Sequence, residues 1–138
     1  MHIRPFAEAD ADAVAALWRT VFPNDPPHND PPRVIERKLA VQRELFFVAE
    51  EDGAVVGTVV SGYDGYRGWI YKMAVHPQQQ RRGVGSALMQ HAEAALRALG
   101  CPKINLQVRA TNAVVVAFYR KLGYNVEELT SMGKRLTG

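Results

Sequence analysis

Residues 2–6 alternate apolar and polar and predict a first strand. From 8 to 22 the spacing turns helical. Val14, Leu17, Trp18 and Val21 form one stripe, and Glu8, Asp10 and Asp12 crowd the first turns, where the helix dipole favours carboxylates. The proline-dense stretch 23–32 breaks regular structure, and Asp30 with Pro31 or Pro32 is a cap for a second helix to about Arg43. Three apolar runs follow, 45–51, 54–62 and 69–75, joined by the hairpin signal Asp52-Gly53 and by a second glycine-containing turn, 62–68, so they predict an antiparallel meander.

The pattern returns to a helical period over 83–99, with Val84, Leu88, Ala95 and Leu99 facing inward and Gly100 and Pro102 ending it. Residues 103–109 alternate, Ile104, Leu106 and Val108 against Asn105 and Gln107. A strand, a helix and a strand in succession imply a right-handed crossover and a parallel pair. Thr111 or Asn112 caps a last helix to Leu122, closed by Gly123, and two short strands are expected after it. The order β-α-α-β-β-β-α-β-α-β-β reads as a single α/β (α+β) domain over 1–138. Its sheet is mixed and mostly antiparallel, with helices on both faces and one parallel pair that splays at its C-terminal ends. Ligands of open α/β sheets bind at such a place.

Composition adds little to this and excludes several classes. Apolar residues make up 47% and charged residues 22%, and 17 Lys+Arg against 14 Asp+Glu leave +3, too small an excess to argue nucleic-acid binding. Cys101 is the single cysteine, so no internal disulfide framework exists, and a small apolar role fits it. The four histidines have no metal-ligand spacing, and no metal is expected. No signal peptide and no run of about twenty apolar residues is present, so a cytoplasmic protein without a membrane span is expected.

The chemistry concentrates in 69–85, WIYKMAVHPQQQRRGVG. An apolar strand stops at His76-Pro77 and passes through a basic, glycine-containing turn into a helix. The first amides of a helix have no intrahelical partner and the dipole is positive there, which suits phosphate. Gly83 and Gly85 permit close approach, and Arg81 and Arg82 add charge. By itself such a turn is often only a tight connection.

Gln80-Arg81-Arg82-Gly83-Val84-Gly85 is neither a Walker loop nor the dinucleotide fingerprint. It resembles the pyrophosphate-binding motif, Gln/Arg-x-x-Gly-x-Gly/Ala, of the GNAT superfamily of acyl-CoA-dependent N-acetyltransferases. Met73-Ala74-Val75-His76-Pro77 stands where that family ends its central strand. Asn112 followed by Phe118-Tyr119 and Gly123-Tyr124 is similar to the family's second motif. Details at 62–68, 100–104 and 133–136 are similar to the YpeA-type bacterial branch.

The resemblance implies acetyl-CoA as cofactor and an amine as acceptor, in a monomer or homodimer. Backbone groups of Met73, Ala74 and Val75 would pair with the pantetheine arm. The turn and first helical residues, Gln80, Arg81, Arg82, Gly83, Val84, Gly85 and Ser86, would hold the pyrophosphate. Asn112 would hydrogen-bond near the thiol, and Tyr119 would protonate the departing thiolate. Phenol and thiol pKa values of about 10 and 8.5 make that donation uphill by roughly 2 kcal/mol, small beside an enzymatic barrier. Periodicity alone favours Tyr119 as a buried aromatic beside Val115 and Leu122, and the family motif reverses that reading.

One position departs from the family pattern. Gln107 stands where the alanine acetyltransferases carry a glutamate, and glutamine cannot accept a proton at neutral pH. Glu50, Tyr71, His76 or a water chain could replace it. Otherwise the acceptor is an amine already partly neutral. A lysine amine near 10.4 needs roughly 4 kcal/mol to be neutral near pH 7.4, and an α-amine near 8 needs under about 1. The acceptor is therefore expected to be a small-molecule amine or a protein N-terminus. In GNAT folds the proline-rich loop borders the acceptor site, so Asp25, His28 and Asp30 could contact substrate. Rival readings are an enzyme acetylating aminoacyl-tRNA, a catalytically silent acyl-CoA-binding module, and a generic nucleotide-phosphate binder.

Overall fold

The computed structural model describes residues 1–137, which divide into two compact units, Met1–Gln107 and the residues from Val108 onward. In the first unit β1 (His2–Pro5), β2 (Phe46–Glu51), β3 (Ala54–Tyr63), β4 (Gly68–Val75) and β5 (Ile104–Leu106) form one open sheet in chain order. Every pairing is antiparallel except β4 with β5, which is parallel. The β2–β3 hairpin turns through Asp52 and Gly53, both at positive φ, as a tight primed turn requires.

Helices α1 (Ala11–Val21) and α2 (Pro31–Leu39) cover one face of the sheet. Trp18, Phe6 and Phe46 stack there, with ring centroids 5.8 Å and 4.5 Å apart, over Val48, Val60 and Ala74. Helix α3 (Val84–Ala98) covers the other face, where Phe47 meets the His91 ring edge-on at 4.6 Å. Helix α2 ends four residues short of the expected Arg43. Gln42 takes a left-handed conformation there, and its side-chain amide bridges the backbone N–H and C=O of Tyr63 at 2.8 Å and 2.9 Å. Asp30 stands at the N-cap of α2 without capping it by side chain; its carboxylate faces Arg19 at 3.9 Å.

The inward stripe of α3 also differs from expectation. It is Val84, Gly85, Leu88, Met89, Ala92 and Leu96, while Leu99, the C-cap, is 50% exposed because the helix has ended there. Strand β5 is three residues long rather than seven. Its ladder with β4 stops at the Ile70–Leu106 pair, and β4 then bends away.

The second unit holds α4 (Ala113–Lys121). The two expected C-terminal strands are not found among residues 124–137. A strand needs a partner for its amides and carbonyls, and none is found among the described residues of this unit. Leu129 N–H turns back onto Glu127 O at 3.0 Å instead, and Val126, Leu129, Met132 and Leu136 are all exposed.

Candidate active site

The C-terminal half of β4 is shaped by a bulge. Val60 pairs with Tyr71 and Thr58 with Ala74, so Lys72 and Met73 together oppose Val59. Lys72 sits at φ 49°, a left-handed conformation that costs a non-glycine residue about 1 kcal/mol. The extra residue bends the strand and increases its twist. Pairing with β5 ends at Ile70, whereas β4 continues to Val75. From Tyr71 onward the edge of β4 turned away from β3 has no strand partner among the described residues. Backbone donors and acceptors of Met73, Ala74 and Val75 on that edge belong to no strand ladder among the described residues, the condition under which a strand edge can pair with an extended ligand.

His76 N–H still bonds Val56 O at 2.8 Å, after which a short 3-10 turn, Pro77–Gln79, carries the chain to Gln80. Arg81 and Gly83 then take positive φ, 68° and 79°. Gly83 is the N-cap of α3 and contributes no side-chain cap. The first helical bond is donated by Ala87 N–H to Gly83 O at 3.0 Å, so the amides of Val84, Gly85 and Ser86 precede the ladder and lack intrahelical acceptors. Arg81 and Arg82 are exposed and have no carboxylate partner among the described residues. Gln79 Oε1 is buried and has no hydrogen-bond donor. Three spare amides and two uncommitted guanidinium groups fit a phosphate-bearing ligand.

Gly57 brings these two pieces together. It pairs with Val75, and a Cβ built on it would lie 3.0 Å from Ala74 O, 3.0 Å from Leu88 Cδ1 and 3.1 Å from Val84 Cγ1. The missing side chain is what lets the first two turns of α3 settle against the end of β4.

In the second unit, Asn112 Oδ1 caps α4 by accepting Val115 N–H at 3.3 Å, which leaves its Nδ2 as donor for a ligand. Tyr119 is 8% exposed, and burial pushes its phenol up to about 12. The hydroxyl therefore stays protonated across the physiological range. Among the described residues no group of three or more His, Cys, Asp or Glu could hold a metal ion, and no helix is long and apolar enough to cross a membrane.

The Acetyltransferase (GNAT) family model matches residues 11–124. Acetyltransferase YE1169 of Yersinia enterocolitica is 46% identical over 136 residues, 99% of this chain and 96% of its own. This chain belongs to the GNAT family. Among solved structures, Ard1 from Thermoplasma volcanium superimposes with TM-score 0.79 at 28% identity, covering 91% of this chain and 83% of that one. AAC(6')-Iy in complex with a bisubstrate analog, CoA-S-monomethyl-acetylneamine, gives TM-score 0.81 at 18% identity over 97% of each chain, a likeness of fold.

Against the GNAT pattern, the three side chains that could replace a glutamate base are all engaged or unsuited. Glu50 faces Arg4 at 3.6 Å on the outer strands. His76 Nδ1 already accepts Gln78 N–H at 3.2 Å. The Tyr71 phenol is raised above its usual 10.0 by burial, which makes it no base near neutrality. In the proline-rich loop, Asp25 pairs with Lys72, and Asp25 and Asp30 line a cleft of about 200 Å³ with Trp18, Phe22 and Asn29; His28 does not line it.

The β4 bulge at Lys72-Met73 was not expected from the pattern of the strand. A signal existed: Lys72 is the one charged residue in the apolar run 69–75, and it stands where the bulge lies.

Proposed function

We propose that this GNAT acetyltransferase uses acetyl-CoA and passes the acetyl group directly to an amine of low pKa, a small-molecule amine or a protein N-terminus. The observation that carries the reading is the meeting of an open β4 edge with the uncapped N-terminus of α3 across Gly57. The CoA-linked analog bound by AAC(6')-Iy, which shares the fold, supports it. Because the family match runs from 11 to 124, across both units, we read the chain as one functional domain.

The thioester, when bound, supplies the acetyl electrophile. Amides of Val84, Gly85 and Ser86, with Arg81, Arg82 and the Gln80 backbone, hold the diphosphate. Met73, Ala74 and Val75 orient the arm through their open backbone groups. The roles of Asn112 and Tyr119 come from the family motif: Asn112 donates Nδ2–H near the sulfur, and Tyr119 gives its proton to the leaving thiolate and regains one, through solvent, as the acylated amine sheds its own. With the phenol at about 12, that donation is uphill from a thiol near 8.5 by roughly 3.5 units, about 5 kcal/mol. The same shift keeps the proton in place between turnovers. With Glu50, Tyr71 and His76 engaged or unsuited, either a water chain takes the amine's proton or the acceptor arrives largely neutral, and the second route favours α-amines and other weakly basic amines over lysine side chains.

The test is a free-thiol release assay with acetyl-CoA over α-amine, polyamine, aminoglycoside and peptide acceptors. Release with low-pKa amines, strongly reduced in Tyr119→Phe, is the expected result. A strong preference for peptidyl lysine overturns the acceptor class, and absence of CoA binding by calorimetry overturns the whole reading.

A further inference from the structure

Two separate anchors converge on Lys72, the left-handed residue of the β4 bulge. The first is a buried relay. Trp18 Nε1–H donates to Thr58 Oγ1 at 2.8 Å, and the Thr58 hydroxyl donates to Lys72 O at 2.9 Å. Trp18 is 1% exposed and Thr58 fully buried. Indole is a donor only, so the threonine oxygen must accept from it and its proton is directed onto the Lys72 carbonyl. The second anchor takes the side chain. Lys72 Nζ pairs with the Asp25 carboxylate and lies over the Phe22 ring at 4.5 Å and the Trp18 ring at 5.6 Å.

All the outer partners come from α1 and the loop after it. Stacking of Trp18 on Phe46 would already hold α1 to the sheet without any hydroxyl at position 58. The relay adds a fixed direction for one carbonyl at the residue that the bulge leaves out of the ladder.

We infer that Trp18 and Thr58, together with Asp25, are positioning residues that clamp the Lys72-Met73 bulge and so set the open backbone of Met73, Ala74 and Val75 on which an acyl-CoA arm is read. The inference rests on the proposed function for its ligand, though not for its geometry. Thr58→Val keeps the volume and loses both hydrogen bonds; Thr58→Ser keeps both.

The test compares these two variants by thermal melting, calorimetry with CoA, and the backbone 15N–1H signals of Met73, Ala74 and Val75 in the ligand-free protein. Thr58→Val is expected to shift or broaden those three signals and to bind CoA about tenfold more weakly, the size of one buried hydrogen bond. Thr58→Ser restores both. A folded Thr58→Val protein with unmoved signals and undiminished CoA affinity overturns the inference and leaves Thr58 a packing residue. Should Thr58→Val not fold, Asp25→Asn releases the second anchor instead; it must broaden the same signals, and unaltered ones overturn the clamp. If the unsubstituted protein binds no CoA, the proposed function fails, while the three backbone signals still decide whether the clamp exists.

Discussion

The ring of Tyr119 meets the ring of Tyr124 edge to face, with centroids 5.7 Å apart and planes at 71°. This contact seals the end of α4. Tyr124 N–H reaches back to Tyr119 O at 3.1 Å while Gly123 N–H bonds Arg120 O at 3.0 Å, the paired reverse bonds that satisfy the last carbonyls of a helix. The residue proposed to give up a proton is therefore also the one that closes its own helix, and the two roles use different parts of it. The ring and the backbone carbonyl hold structure; the proposed chemistry uses the hydroxyl.

Tyr119→Phe keeps the ring and the carbonyl, so its melting temperature should stay close to that of the parent. Its turnover should fall by about two orders of magnitude, the usual worth of a positioned acid. Tyr124→Ala should do the reverse, costing about 1 kcal/mol of stability through the lost ring pair with a smaller effect on turnover. Equal losses of turnover in both variants would mean that Tyr119 acts through packing.

The raised phenol also fixes a pH dependence. A group whose folded pKa lies above its unfolded value contributes stability that is complete below the unfolded pKa, 10.0 here, and is lost as pH rises through the folded value of about 12. Alkaline unfolding should steepen in that window, and Tyr119→Phe should flatten it. The turnover profile of the parent should show no falling limb from this residue until pH approaches about 12. A falling limb near 10, absent in Tyr119→Phe, would show that the phenol is not held up by burial.

The fold was legible wherever a local rule settles the matter. Asp52-Gly53 named its hairpin, Gly100 and Gly123 named two helix ends, and the glycine turn before Val84 named the start of α3. The candidate site's framework was legible as far as backbone motifs reach: the end of β4 and the glycine turn into α3 stand where expected. What stayed hidden depends on partners distant in sequence. The Trp18–Thr58 bond joins residues 40 apart, and the Lys72–Asp25 pair joins residues 47 apart. Two C-terminal strands were expected after Gly123, but no strand is found among residues 124–137, and a strand forms only where a neighbour pairs with it.

Gly57→Ala tests the joint between β4 and α3. Backbone conformation permits alanine at this position, since φ is not positive. Its methyl would crowd Ala74 O and the Leu88 side chain at 3.0 Å. The carbonyl cannot yield without moving β4, so α3 must lift. Overpacking of this kind costs about 1–3 kcal/mol. Calorimetry should show weakened CoA binding in the protein that remains folded, because the amides of Val84, Gly85 and Ser86 leave the strand end. Unchanged affinity would separate the diphosphate site from this joint.

Acid stability should depend on Asp10. Arg4 grips its carboxylate with two nitrogens, at 2.7 Å and 2.9 Å, and Ala7 N–H adds a third bond at 2.8 Å. Hydrogen bonding to Arg4, only partly opposed by burial, holds the carboxyl below its usual 3.8. The stabilisation is therefore present above 3.8 and is lost as pH falls through the lowered folded value. Asp10→Asn should cost about 2 kcal/mol at neutral pH, the worth of charge-assisted bonds. It should also flatten the acid limb of a stability–pH curve; an unchanged limb would move the acid sensitivity elsewhere.

Lys38 makes the opposite case. Its ammonium is buried, with 5% of the residue exposed, and donates to Ser61 O at 2.6 Å, while no carboxylate lies within ion-pair distance among the described residues. Burial lowers its pKa below the usual 10.5, with the charge of Glu44 opposing. Between the lowered folded value and 10.5 the unfolded chain binds more protons than the folded one, so stability gained from this group rises with pH across that window. Lys38→Met keeps a stem of similar length, removes the desolvated charge and forfeits one bond to a carbonyl. The two changes oppose each other, and the net effect on stability at neutral pH should lie within about 1 kcal/mol. The distinguishing result is the slope. Denaturant midpoints of the parent should climb as pH approaches 10.5, and those of Lys38→Met should not. Parallel curves for the two proteins would mean that Lys38 keeps its ordinary affinity for protons despite its burial.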